Sequence, residues 1–219
     1  MPGSPHPPRA APHPPGRRER NKREKLERIV RAATGLFRAQ GFEATTGRQI
    51  CQQAGIATGT LFLYVRDKRE LLFLIFRPRA ERAFARLPRG LGEDEGVVDG
   101  LMRLFGAFLR IYGRDVALAR LFVQELLFRS DPAEGMQALS AELRTRVARI
   151  VADAVERGEL RADVAPDELG QALGAHYVLW IQLWLGTAAV GRRAAERGLR
   201  RSLELQLEGI ASTSARSAR

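Results

Sequence analysis

Apolar residues recur every three or four positions along most of this chain, which is the period of helices with one buried face. Leu26, Ile29, Val30, Ala33, Leu36 and Phe37 form the first stripe and predict a helix over about 22–40. Asn21 is its candidate N-cap, with Glu24 three residues on, and Gly41 its candidate left-handed C-cap before apolar Phe42. Two short helices follow, over about 46–54 and 58–65, separated by a tight turn at Gly55-Ile56-Ala57. The next begins near Lys68 and carries Leu71, Leu72, Ile75 and Phe76. Pro78 removes an amide donor and clashes with the preceding turn, so a kink or break is expected there, with helix resuming over 79–86. After a Pro/Gly loop over 87–92, stripes predict helices over 93–113, 115–129, 133–157, 166–189 and 192–211. Asp131-Pro132 and Gly158 punctuate this series, and Pro166 with Asp167 and Glu168 makes a favourable helix start. No strand pattern competes and no internal repeat is visible, so the fold class is all-α.

Residues 45–68 read TTGRQICQQAGIATGTLFLYVRDK, and their local chemistry is specific. Thr46 followed by Gln49 fits a capping box. Ile50 and Ala54 share a face, and Cys51 and Ala54 are small enough for a neighbouring helix to come close. Gly55 can take the positive φ a sharp turn needs. Ile56 is placed to fill the angle between the helices. Leu61 and Val65 face inward, Phe62 packs at the edge, and Thr58, Thr60, Leu63 and Tyr64 stay more exposed. Such a pair of helices is a helix-turn-helix, whose second member lies in the major groove of DNA.

This stretch resembles the DNA-binding motif of the TetR family of transcriptional regulators, roughly T-x-x-x-I-A-x-x-A-G-V-S-x-G-T-L-Y-x-Y-F-x-x-K-x-x-L. The chain matches at Thr46, Ile50, Ala54, Gly55, Gly59, Thr60, Leu61, Tyr64, Lys68 and Leu71. It departs at Cys51, Ile56, Ala57, Phe62 and Val65. Ala57 stands where the family has a capping serine, and alanine cannot cap. Thr58 is then the candidate cap, which leaves the start of the second helix open by one residue. The resemblance implies a DNA face of Thr46, Arg48, Thr58, Gly59, Thr60, Leu63, Tyr64 and Lys68. Tyr64 and Lys68 would hold phosphates, and Arg48, Thr58, Thr60 and Leu63 would meet base edges.

Charge adds to this picture. The chain has 219 residues and a formal charge of +11. Residues 1–68 hold thirteen Lys/Arg against five Asp/Glu, so most of the excess sits with the helix-turn-helix. Residues 1–20 form a Pro- and Arg-rich stretch, expected as a disordered tail. The basic run Arg17, Arg18, Arg20, Lys22, Arg23 and Lys25 reads equally as a solvated face or as an arm that touches phosphates. A DNA-binding domain over 21–67, a ligand-binding and dimerisation domain over 68–213 and a flexible 214–219 complete the expected organisation. Cys51 is the sole cysteine, so no intrachain disulfide forms, and a reducing, cytoplasmic setting is expected. No apolar run has the length of a membrane span, and no partnership with a membrane is expected.

Catalytic constellations are absent from the sequence: no phosphate loop, nucleophile elbow or Cys/His metal spacing occurs. No catalytic residue, metal or cofactor is therefore expected, and the chain does not read as an enzyme. His6 and His13 have no companions to complete a metal site. His176 reads as a polar spot in a helix interface rather than a general base. The stretch from His176 to Gly186 is apolar nearly all round, which suggests that a second chain supplies one wall. The family resemblance assigns the last two helices to dimerisation. Tyr177, Trp180, Trp184, Leu199, Leu203 and Leu207 are accordingly the candidate interface, with at least one tryptophan in it. Phe105, Phe108, Tyr112 and Phe122 fit either core packing or an apolar ligand pocket between the middle helices.

The expectation is a homodimeric, ligand-responsive, sequence-specific regulator of transcription. In the resembled family such proteins are most often repressors, released from a palindromic operator by a small molecule. That effector is unknown from sequence. Two other classes compete: a nonspecific DNA-architectural protein, and a small-molecule-binding or enzymatic helical domain with an incidental basic head.

Overall fold

In a computed structural model, residues 16–128, 134–187 and 189–210 are described, and they are all-helical. The expected disordered tail, apart from residues 16–20, lies outside the described residues. So do the Asp131-Pro132 break, the flexible C-terminus, His6 and His13. The chain divides into two compact units, Met1–Arg66 and Asp67–Arg219.

The first unit contains α1 (Arg17–Gln40), α2 (Gly47–Ala54) and a 3-10 segment (Thr58–Leu63). Helix α1 begins five residues before the expected start, behind Gly16, so Asn21 is not its cap. Arginine, lysine and glutamate are good helix formers, and the run 17–25 continues the helix without burying anything. The basic stretch is thus an exposed part of α1. Ile29, Ala32, Ala33 and Phe37 form the buried stripe. Gly41 does take a positive φ, 86°, but with ψ of 162° rather than the expected left-handed helical value. Phe42 then folds back onto Phe37, with ring centroids 4.9 Å apart.

The capping box of α2 is present. Thr46 Oγ1 accepts from the Gln49 amide at 3.3 Å, and Gln49 Oε1 accepts from the Thr46 amide at 2.8 Å. Gln40 at the end of α1 donates to the same Gln49 oxygen at 3.1 Å and so ties the two helices together. Gly55 adopts the left-handed conformation, φ 64° and ψ 45°, which turns the chain sharply.

The second unit contains α3 (Glu70–Arg86), α4 (Val97–Tyr112), α5 (Val116–Phe128), α6 (Glu134–Glu156), α7 (Pro166–Gly186) and α8 (Arg192–Glu208). Helix α3 starts two residues after Lys68, where Asp67 Oδ1 accepts from the Glu70 amide at 2.9 Å. It runs through Pro78 without the break that was one of the two expected outcomes. Leu71, Leu72, Phe73, Ile75, Phe76, Ala80 and Phe84 are buried on both sides of the proline. Each large apolar side chain buried in this way contributes about 1.5–3 kcal/mol, comparable with the roughly 3 kcal/mol that an internal proline costs.

Polar side chains fasten the loop between α3 and α4 to α6 and its neighbours. Buried Arg146 donates to the Leu87 carbonyl at 3.0 Å, pairs with Glu142 at 2.7 Å and covers the Phe84 ring. Asp153 accepts from the Leu91 amide at 2.9 Å, and a Cβ at Gly90 would lie 1.9 Å from the same carboxylate oxygen. Only glycine allows that approach. Arg103 joins Gly90 O and Glu95, both within 2.8 Å. The Arg103 guanidinium holds the Glu95 carboxyl below its ordinary value, against an opposing push from burial. This network fixes the ends of α3 and α4, whose middles bound the site described next.

Candidate functional site

The first unit offers a surface and the second a cavity. On the surface, Thr46, Arg48, Thr58, Gly59 and Leu63 are exposed, while Thr60 and Tyr64 are half-buried. Leu61 and Val65 point inward as expected and hold the 3-10 segment against the rest of the unit. A Cβ at Gly47 would meet the Leu61 side chain at 3.3 Å, so α2 and the segment approach closely at this glycine. Phe62 does not pack at an edge: it is 65% exposed, beside Leu63 at 78%. Two adjacent, solvated apolar side chains on a turn of a helix-turn-helix are suited to contact thymine methyl groups. Sequence reasoning placed Phe62 at an edge because aromatic residues usually signal burial.

The second helix of the motif is a 3-10 turn rather than an α-helix. Ala57 occupies the N-cap position with φ −65° and ψ 145° and makes no side-chain capping bond. Thr58 does not take over that role; the helix starts at Thr58 itself. The Thr60 amide instead bonds to the Ala57 carbonyl at 2.9 Å, the tight i→i+3 pattern. Cys51, buried, donates through Sγ to the Thr58 carbonyl at 3.5 Å and serves the packing of the motif. Lys68 belongs to the other unit, in the turn before α3, and is half-buried.

The cavity has a volume of about 400 Å³ and is bounded by α3, α4, α5, α6 and α7. Phe105, Phe108, Tyr112 and Phe122 all line it. Their rings are fixed by one another: Phe76 stacks on Phe122 at 4.6 Å, and Phe84 meets Phe108 at 5.1 Å. Leu126, Leu127, Met136, Leu143, Val147 and Ile181 extend the apolar wall. The polar lining is sparse. Ser140, Arg144 and Gln171 stand on α6 and α7, where Arg144 and Gln171 are exposed and mark the mouth. Tyr112 and Tyr177, both buried, are part of the wall. Burial pushes Tyr112 up to about 12, and raises Tyr177 well above the ordinary phenol value. The two hydroxyls influence one another, yet Tyr177 Oη completes no hydrogen bond of acceptable geometry.

Residues expected at a dimer interface are mostly internal. Tyr177 lines the cavity and stacks on Phe105 at 4.5 Å. Trp184, Leu199, Leu203 and Leu207 are buried within the unit's own bundle. Trp180 is half-buried; its indole N–H donates to Ser202 Oγ at 3.0 Å, and its ring lies over Gly198. These side chains pack between α7 and α8 of the same chain. The reason is geometric: an all-round apolar helix can be covered by its own bundle as well as by another chain. The outward strip is instead carried by Leu179, 47% exposed, and Leu205, 53% exposed. His176 sits in the α7–α8 contact, hydrogen-bonded to Gln206. Among the described residues no helix is long and apolar enough to cross a membrane, and no group of three His, Cys, Asp or Glu side chains is placed to hold a metal.

A capped helix-turn-helix head with exposed side chains on its second element, joined in one chain to a helical unit enclosing an apolar cavity, defines a DNA-binding regulator. Residues 29–75 match the family described as bacterial regulatory proteins, tetR family. The match makes residues 29–75 a TetR-type DNA-binding region, and the chain as a whole is similar to TetR-family transcriptional regulators. It is similar to the fatty acid metabolism regulator protein of Bacillus subtilis (strain 168), at 23% identity over 145 residues, covering 65% of this chain and 74% of that one. It is also similar to the HTH-type transcriptional regulator HbdR of Aromatoleum sp. (strain CIB), at 35% identity over 81 residues, 37% of this chain and 34% of that. Among solved structures, Thermus thermophilus FadR, a TetR-family repressor in complex with lauroyl-CoA, matches with a TM-score of 0.63 and 29% identity over 84% of this chain and 94% of that one. Bacillus subtilis FadR in complex with stearoyl-CoA shares the fold, with a TM-score of 0.65 and 19% identity over 84% of this chain and 98% of that one.

Proposed function

We propose that the protein is a homodimeric cytoplasmic repressor that leaves a palindromic operator when a fatty acyl-CoA occupies the cavity. The observation that carries this reading is the apolar cavity of about 400 Å³, within the range of small-molecule sites, with Arg144 and Gln171 exposed at its mouth. An acyl chain suits the apolar interior. A phosphate-bearing headgroup suits a mouth where Arg144 forms no ion pair among the described residues. The similarity to a repressor in complex with lauroyl-CoA supports the same class of ligand.

On the DNA side, Arg48, Thr58, Gly59, Thr60 and Leu63 are the residues proposed to meet base edges, and Thr46, Tyr64 and Lys68 the phosphates. The N-terminal turns of α1 add exposed cationic charge to the same unit. Two heads are needed for two half-sites, and the outward strip of α7 and α8 around Leu179 and Leu205 is the proposed contact with a second copy. The switch is a population shift. Acyl-CoA favours a state of lower operator affinity, and operator DNA must weaken acyl-CoA binding by the same factor.

The test uses the purified full chain, an operator obtained by binding-site selection, and lauroyl-CoA. Lauroyl-CoA is expected to raise the melting temperature and to weaken operator binding by about 5–150-fold. Gly174→Leu supplies the control: a Cβ at Gly174 meets nothing within 4 Å and this residue lines the cavity, so leucine fills the space beside the mouth. That variant is expected to lose the response to lauroyl-CoA. Absence of stabilisation by lauroyl-CoA in the unaltered protein overturns the acyl-CoA reading. Operator binding without sequence preference would favour the architectural alternative.

A further inference from the structure

Helix α1 outruns the unit it belongs to. Every residue from Arg17 to Lys25 is exposed, and the first buried residue of the helix is Ile29. Contacts with α2 fix the direction of this overhang. Gln40 bonds to Gln49 at 3.1 Å, a Cβ at Gly35 would lie 3.5 Å from Gln53 Nε2, and a Cβ at Gly55 would lie 3.8 Å from Arg28 Nη1. The two helices therefore run antiparallel, and Arg28 reaches the turn that ends α2. Arg17 to Glu27 add about 16 Å of helix beyond it. The 3-10 segment starts just past the same turn, at Thr58, so the overhang and the first residues of that segment share one end of the unit. In helix-turn-helix heads that end of the second helix meets base edges.

Charge is not spread evenly around the overhang. Arg18, Lys22 and Lys25 stand four and three residues apart, and four residues further on the same stripe continues with Ile29, then Ala33 and Phe37, all buried. The face that serves as core inside the unit thus turns cationic once it leaves the unit. Glu19 lies at the edge of this face, while Arg17, Arg20 and Arg23 lie off it. Arg23 approaches Glu27 at 3.9 Å, whereas Arg18, Lys22 and Lys25 are in no ion pair among the described residues. Like charges at these spacings repel one another along a helix, and a polyanion laid against them reverses that repulsion.

The shape of the overhang decides what it can hold. A helix about 10–12 Å across does not enter a minor groove about 6 Å wide. The major groove of the half-site is the place of the 3-10 segment. What remains for the overhang is the sugar-phosphate backbone alongside, and the three cations span about 10 Å of helix against a strand that carries one phosphate per roughly 3.4 Å of axis. We infer that the cationic face of the α1 overhang binds DNA phosphates beside the half-site, so that the operator extends past the bases it is read by into a flank recognised through charge alone. This inference rests on the DNA-binding reading of the head and adds to it a second surface, one that is indifferent to sequence.

The test compares the full chain with two variants of equal charge. Arg18→Gln/Lys22→Gln/Lys25→Gln removes the cationic face, and Arg17→Gln/Arg20→Gln/Arg23→Gln removes three charges off it. Glutamine is a good helix former and none of the six residues is buried, so both variants should melt like the unaltered protein, which circular dichroism verifies. The operator from binding-site selection is used in two lengths, trimmed to its selected bases and extended by random sequence on both sides. Anisotropy titrations are run between about 50 and 200 mM salt. At the lower salt the unaltered protein is expected to bind the extended duplex on the order of tenfold more tightly than the trimmed one. The first variant should bind both lengths alike, with a salt slope shallower by about 2.7 for each bound head, since each phosphate contact contributes about 0.9. The second variant should stay within about threefold of the unaltered protein on both. Equal binding of the two lengths by the unaltered protein overturns the inference. So does an equal loss in the two variants, which makes the effect one of net charge, and so does a changed base preference in the first. If selection returns no preferred sequence, the sequence-specific reading fails; the first variant must then still lose more affinity for a random duplex than the second, and equal losses reject the inference. No binding to any duplex rejects both.

Discussion

Restoring a cap to the recognition segment should stiffen the part of the molecule that reads DNA. Ala57 has the extended backbone of an N-cap, φ −65° and ψ 145°, but no side-chain oxygen to offer. The segment behind it spans six residues and is held by the Thr60 amide on Ala57 O at 2.9 Å and the Tyr64 and Val65 amides on Leu61 O at 2.9 and 3.1 Å. Ala57→Ser adds an acceptor for the amide of Gly59 or Thr60 without a change of backbone. A serine cap in place of alanine is worth about 1 kcal/mol, within a range of 0.5–2. Pre-ordering of the segment then tightens operator binding by up to about fivefold for a cap worth about 1 kcal/mol, since 1.4 kcal/mol is tenfold. Anisotropy titrations on the selected operator measure that change, and amide hydrogen exchange at Gly59 and Thr60 measures the ordering directly. Ala57→Gly is the companion variant, because glycine caps nearly as well as serine but adds no oxygen. Unchanged exchange at both amides in Ala57→Ser would refute the reasoning, and so would tighter binding without added protection.

Two further outcomes are expected. Leu205→Glu places charge on a residue that is 53% exposed and should yield folded monomer by equilibrium sedimentation, whereas Leu203→Glu, in the core of the bundle, should fail to fold; a persistent dimer in Leu205→Glu excludes that strip as the contact. Arg103 holds the Glu95 carboxyl below its ordinary value of 4.5, so the pair stabilises the fold above that pH and the contribution is lost as pH falls through the depressed value; Glu95→Gln should lower the neutral-pH melting temperature and flatten the acid limb of its pH profile.

How much of this was legible in the sequence depends on where the stabilising partner of each residue lies. Thr46, Gln49 and Gly55 are explained by neighbours three or four positions away, and the capping box and the left-handed turn appear where the sequence predicts them. Ala57 was legible as a missing cap, but the remedy was not: the chain tightens into a 3-10 turn instead of moving the cap to Thr58. The early start of α1 was hidden because Arg17 to Lys25 bury nothing, and periodicity has no hold on a solvated helix. Pro78 illustrates the reverse case, in which burial of α3 on both sides overrides a local breaker. The aromatics of α4 and α5 were readable as pocket candidates because their spacing gathers them on facing helices. Tyr177 was not, because an apolar helix covered on every side looks the same whether the cover comes from its own bundle or from a second chain.

Helix α7 resolves that ambiguity by doing different things on different faces, and two glycines four residues apart show how. At Gly170 a Cβ would lie 3.4 Å from the backbone nitrogen of Ala148, so α6 and α7 come together there with little room between them. At Gly174 a Cβ would meet nothing within 4 Å, and this residue lines the cavity. One turn of helix therefore separates a closed contact from a mouth. Tyr177 lies another three residues on, about 4.5 Å further along the axis, and also lines the cavity. Access for a slender chain thus follows from the small residue at Gly174 and needs no separation of the helices at Gly170. A ligand that fills this opening bears on α6 and α7 together with α3, α4 and α5, all of which contribute to the wall, so binding energy is distributed over most of the unit rather than confined to one loop. That distribution is what a ligand needs in order to bias a packed helical bundle between two states.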